Sequence, residues 1–148
     1  PGLVVALDDV PRERAAQILE NDPDLLPDEL VIHQQDIQAV VNALWAGGAE
    51  AMSIKNVRII STTGIRCVGN TVILHGVPYS PPYTIRAVGD PTALRASLAA
   101  NDYVSGIVRA HAEHGLGYDV EEIPVRWAHS EGSSLSMSRD AWRMSRSL

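Results

Sequence analysis

Phenylalanine is absent from the 148 residues, which leaves three Trp and four Tyr as the aromatic complement. Cysteine is nearly absent. Cys67 stands alone, so no internal disulfide can form and no metal site can be built from thiolates by themselves. No apolar run approaches the roughly 18 residues of a membrane-spanning helix, and no signal peptide is visible. A basic stripe is missing too. The formal net charge is −6, and the eight acids between Asp8 and Glu29, set against Arg12 and Arg14, carry −6 by themselves. Nucleic-acid binders show the opposite balance. Catalytic signatures are equally scarce. Ser61, Thr62, Thr63 and Ser80 lack a nucleophile-elbow or dyad pattern, and the Gly-Leu-Gly at 115–117 follows a helical stretch, whereas a phosphate cradle precedes one.

What is present is an ordinary globular chain, 45% hydrophobic and 20% charged, long enough to bury a real core. It opens "PGLVVALDD", without Met and directly on a strand-like run, which reads as a piece of a longer protein. Leu3 to Leu7 is a continuous apolar run and predicts a strand buried on both faces, central in its sheet. Residues 10–30 are acidic and punctuated by proline, and they predict a long loop with at most a helical turn at Ala15 to Leu19. Ile37, Val40, Val41, Leu44 and Trp45 make one helical stripe, which predicts a helix from about Gln34 to Ala46 ended by Gly47-Gly48. Trp45 is expected to be a buried aromatic of that stripe.

Residues 50–75 read as a small antiparallel meander, with turns at Lys55-Asn56 and Gly69-Asn70. The stretch "YSPPYTIRAVGDP" is punctuation on both sides of a strand. Pro81 and Pro82 cannot donate to a ladder and must precede the strand, Tyr83 to Val88. Asp90 and Pro91 then suit the cap and first position of a helix. Leu94, Leu98, Val104, Ile107 and Val108 continue with helical spacing, broken at Asn101-Asp102, and Tyr118 to Ile123 is a last strand. Two βαβ units sharing one sheet predict an α/β (α+β) ferredoxin-like sandwich with an extra antiparallel hairpin between the units. The expected organisation is one domain over 1–125 and a tail rich in serine and arginine over 126–148.

Among chemically capable side chains, Asp8-Asp9 at a strand's carboxyl end could hold a hard cation or mark a polar strand exit. His111 and His114 at i and i+3 could ligate a metal or simply end a helix. His33, His75 and His129 look ordinary, and Cys67 alternates with Ile65 and Val68 as a small core residue. One constellation points to a ligand. Arg58, Arg66 and Arg86 all fall on predicted strands, with Thr62 and Asn70 in the same meander, and could grip an anion. The competing reading is cross-strand pairing of these arginines with acids such as Glu50.

Three stretches, "DIQAVVNALWAGGAEAMSI", "RIISTTGIRCVGNTVILHGVPYSPPYTIRAVGDP" and "GLGYDVEE", resemble a bacterial family of unknown function found in YlxW-like and YlxX-like proteins, sometimes labelled division-initiation proteins. The resemblance spans about residues 1–124. It implies a domain held outside the cytoplasm by an N-terminal membrane helix upstream of this chain, in an envelope or cell-division setting. It implies no reaction, substrate or cofactor, and no catalytic residue carries over.

The expected function is therefore a non-enzymatic binding or scaffolding domain that holds an envelope protein, or a second copy of itself, by a sheet edge or by the arginine-bearing face. A small-ligand sensor binding an anion near Arg58, Arg66 and Arg86 is the first alternative, and a metal-dependent hydrolase using Asp8 and Asp9 the second. Neither nucleic acid nor a cofactor is implied.

Overall fold

The computed structural model describes residues 1–69 and 71–124. β1 (Gly2–Asp8) leads through α1 (Arg12–Asn21) and a 3-10 turn (Pro27–Leu30) to α2 (Gln34–Ala46). Six strands follow: β2 (Ala51–Ile54), β3 (Val57–Ile59), β4 (Ile65–Val68), β5 (Thr71–Leu74), β6 (Val77–Tyr79) and β7 (Tyr83–Val88). Then come α3 (Pro91–Ala100), α4 (Asp102–His114) and β8 (Gly117–Ile123). The class is mixed α and β, as the sequence implied.

Five strands form one antiparallel sheet in the order β3-β2-β7-β1-β8. That order comes from two interlocking crossovers. β1 passes through α2 to β2 and leaves a gap that β7 fills. β7 passes through α3 and α4 to β8, which lands on the far side of β1. Alternation along the strands sends Leu3, Val5, Leu7, Met52, Ile54, Tyr83 and Ile85 to one face, each at most 1% exposed. Facing them are Ile37, Val40 and Leu44 of α2, Leu94 of α3, and Val104 and Ile107 of α4, all in one core.

The helices start and stop where local chemistry allows. At the start of α2 the carboxylate of Asp36 accepts from the His33 N–H at 2.8 Å. Asp90 accepts from Thr92 N–H at 3.1 Å to cap α3, and Asn101 accepts from Val104 N–H at 3.0 Å to cap α4. α4 ends at Gly115, whose φ of 82° is the left-handed conformation that glycine adopts without penalty. The end of α2 lies hard against α3: the Ser97 hydroxyl donates to the Ala43 carbonyl at 2.6 Å.

The structure departs from the sequence reading at several points. The acidic stretch is not a loop over 10–30, because Arg12–Asn21 is helical. Its apolar side consists only of Ala15, Ile18 and Leu19, half-buried against the core, too short a stripe to stand out among acids and prolines. Pro11, Pro23 and Pro27 all lie outside the helix. The 50–75 meander is divided between two sheets. β2 and β3 extend the main sheet, while β4, β5 and β6 form a separate three-stranded one, so the insertion is larger than a single hairpin. The small sheet turns Ile65, Val72 and Leu74 into the common core, and the Tyr83 hydroxyl ties it to β7 by donating to the Tyr79 carbonyl at 3.1 Å. Trp45 is half-buried, and its buried indole N–H has no hydrogen-bond partner among the described residues. The tail assigned to 126–148 lies outside the described residues.

Gly47 carries the α2–α3 approach. Its φ of −79° suits any residue, but an added Cβ would lie 2.9 Å from Ser97 Cβ and 3.1 Å from the Ala93 carbonyl oxygen. Gly47→Ala is therefore expected to lower stability by about 1–3 kcal/mol through overpacking, measured by urea denaturation. A neutral result would show that the two helices separate without cost.

Candidate functional site

Strand register decides which predicted site residues meet. Arg58 pairs with Ser53, Ser53 with Arg86, Arg86 with Val4, and Val4 with Glu121. These five residues form one row across the sheet, on the face turned away from the helices. Arg58 and Arg86 are thus two strands apart, a backbone separation of about 10 Å. Arg58 is exposed, whereas Arg86 is only 5% and Ser53 7% exposed. The Arg86 guanidinium donates to Asn56 Oδ1 at 3.4 Å.

Arg66 does not join them. It sits on β4 in the small sheet, opposite Ile73, and is exposed. Thr62 lies exposed in the β3–β4 connection, and Asn70 lies outside the described residues. Of the cross-strand pairing with acids such as Glu50, the competing reading, no ion pair of Arg58 or Arg66 is found among the described residues. Among the described residues the one Arg–carboxylate ion pair joins Arg95 to Glu122 at 3.4 Å, and the others involve histidine.

The remaining candidates serve the chain's own backbone. Asp9 Oδ1 accepts from the Ile32 N–H at 2.8 Å, holding the residues before α2 against the end of β1, and Asp8 Oδ1 accepts from the Asp9 N–H at 2.8 Å. Burial pushes the Asp9 carboxyl above its ordinary value, and the Ile32 N–H pulls against that shift. No group of three or more metal-ligating side chains forms among the described residues. His111 Nδ1 donates to the Leu116 carbonyl at 2.6 Å, and the His114 carbonyl accepts from Arg14 Nε at 3.0 Å. Both histidines thus belong to the helix end. The Cys67 N–H donates to Gln34 Oε1 at 3.0 Å, and burial pushes its thiol up.

The feature with binding geometry is a sheet edge, which the sequence reading allowed for without placing it on a strand. β8 ends the sheet, with β1 as its one neighbour among the described residues. Beside it runs a groove of about 520 Å³ between the strand and α3/α4, walled by Leu98, Val104, Val108, Tyr118 and Val120. Arg95 spans the groove from α3 to Glu122. Burial pushes the Tyr118 phenol up, with Arg95 pulling it down. By alternation Asp119 and Glu121 belong to the opposite face, where both are exposed, and Asp119 also contributes to the groove lining. The alternation of "YDVEE" was legible as a strand. Its place at the edge depends on long-range pairing that no local pattern encodes.

These features define an α+β domain with helices on one sheet face and, among the described residues, one long strand edge without a neighbour. The chain belongs to the bacterial family of unknown function DUF881, whose model matches residues 1–132. It is 39% identical over 123 residues to the UPF0749 protein Rv1823 of Mycobacterium tuberculosis, covering 81% of this chain and 36% of that protein. It is 37% identical over 68 residues to the UPF0749 protein YlxW of Bacillus subtilis, covering 46% of this chain and 29% of that one. The chain therefore spans only 29–36% of the length of these curated relatives. The crystal structure of an uncharacterized conserved protein from Mycobacterium tuberculosis shares the fold, with a TM-score of 0.59 at 21% identity over 90% of this chain and 88% of that one.

The Asp9 shift has a pH signature. A carboxyl whose folded pKa is raised keeps its proton longer in the native state than in the unfolded chain. Its contribution to stability is full below the ordinary value of 3.8 and is lost as pH rises through the raised one. Asp9→Asn keeps an oxygen to accept from Ile32 and removes the titration. Urea midpoints of wild type relative to this variant should fall with rising pH across that window. Parallel profiles would assign Asp9 no net shift.

Proposed function

We propose that this chain is a non-enzymatic binding or scaffolding domain that holds a protein partner along the edge of β8. The observation that carries this reading is the strand itself. It is seven residues long and pairs on one side only among the described residues, with an apolar groove alongside. Edge strands present unpaired N–H and C=O groups, and an added extended segment satisfies them while adjacent pockets select its side chains.

We further propose that the parent protein is membrane-tethered and works at the bacterial envelope in connection with cell division, with this domain on the extracytoplasmic side. The resemblance to YlxW-like proteins supports that setting, and the greater length of the relatives leaves room for an anchor elsewhere in the parent. The anion-binding reading has weaker support. Arg86 is buried and already donates to Asn56, and Arg66 belongs to the other sheet.

Photo-crosslinking in living cells tests the proposal, with probes at Tyr118 and Asp119 in one set of strains and at Arg58 and Arg66 in another. A recurrent envelope protein trapped from β8, and absent from the arginine positions, is the expected result. Trapping from Arg58 or Arg66 with nothing from β8 would move the binding surface to the arginine-bearing strands.

A further inference from the structure

We infer that the segment received at β8 is a basic one, an extended stretch alternating Lys or Arg with small apolar residues. This rests on the edge-binding reading above and adds the chemistry of the occupant. The two sides of β8 differ in charge. On the helix-facing side, Tyr118 and Val120 are apolar, and the acid that alternation sends there, Glu122, is matched by Arg95. Asp119 also lines the groove, although alternation turns its side chain to the other face. On the other side Asp119 and Glu121 are exposed, and they stand beside Ala6 and Val4, which offer no counter-charge. Neither acid takes part in an ion pair among the described residues.

A second copy of the chain fits this edge badly. Pairing two β8 strands about a two-fold axis sets residue i against a residue of the same face, so the axis must pass through a residue. Centring on Val120 sets Asp119 against Glu121 twice. Centring on Asp119, Glu121 or Glu122 sets an acid against its own copy. Every register that pairs most of the strand therefore puts acid opposite acid, which destabilises a cross-strand pair. A segment with Lys or Arg facing Asp119 and Glu121 reverses that sign at both positions. Alternation then sends the residue between them to the groove side, opposite Val120. The walls there are Leu98, Val104 and the 43% exposed Val108, which receive a small apolar side chain.

The experiment titrates the isotopically labelled full chain with blocked peptides as long as β8, followed by amide shifts. One alternates lysine with valine, a second glutamate with valine, and a third serine with valine. The lysine peptide is expected to shift amides of 117–123 and of the groove walls. It should bind about tenfold or more tightly than the glutamate peptide and weaken as salt is raised. The double change Asp119→Lys with Glu121→Lys should invert the preference, its fold checked by unchanged amide positions elsewhere. If all three peptides shift β8 equally, the edge reading stands and the basic chemistry is overturned. If none shifts β8, the edge reading falls with it, and the acids act only to keep the edge from self-pairing.

Discussion

The arrangement depends on β1 lying between β7 and β8. β1 pairs six residues with β7 and seven with β8, and Leu3, Val5 and Leu7 are fully buried. Both neighbours are antiparallel to β1, so each crossover, β1 to β2 and β7 to β8, joins a parallel pair by skipping one strand. Parallel crossovers are right-handed in nearly all proteins. The two run in opposite directions and step opposite ways along the sheet, so the same hand puts α2 and the α3/α4 pair on one face. One shared core results, and the second sheet face is left without a described helix.

The same topology fixes the edges, and the chain treats them unequally. β3 has only three residues. In the small sheet, β6 carries Pro78, which has no N–H to offer, and the Cys67 N–H of β4 is taken up by Gln34. Short strands, proline and side-chain caps are the usual means of closing an edge. β8 has none of them. Its seven residues contain no proline, and it presents charge only through side chains that point off the sheet faces. Among the described residues β8 is the edge where an additional strand meets least resistance.

Local patterns carried the elements that local interactions create. α2 was legible from its stripe and Gly47-Gly48, and α3 and α4 from Asp90, Pro91 and the break at Asn101, because caps and periodicity act within a few residues. α1 was masked by its composition. Three half-buried apolar side chains are enough to hold a helix that Arg14 also pins to the end of α4, yet too few to announce it. The three arginines looked alike on paper since each lies on a strand. Which of them share a face is decided by register over some thirty residues, and the division of the meander into two sheets separates Arg66 from the others. The β8 edge was hidden for the same reason, as edge position is a property of the sheet order.

In the proposed arrangement Asp119 and Glu121 would make an edge that is unpaired among the described residues tolerable. A bare apolar β8 would pair with any extended chain, its own copies included, and would be an aggregation site. Acids directly opposite acids penalise self-pairing in each of the extensive registers, while leaving the backbone groups of the strand available. Discrimination between partners is a difference of two free energies, and a repulsive element against the wrong partner contributes as much as an attraction to the right one. Two carboxylates placed on alternate residues supply both with no additional structure: repulsion toward a second acidic edge and attraction toward a basic one. In the proposed complex the groove side needs no further charge, because Arg95 already offsets Glu122 there; apolar contact would set the fit on that side and the carboxylates the sign of the partner on the other.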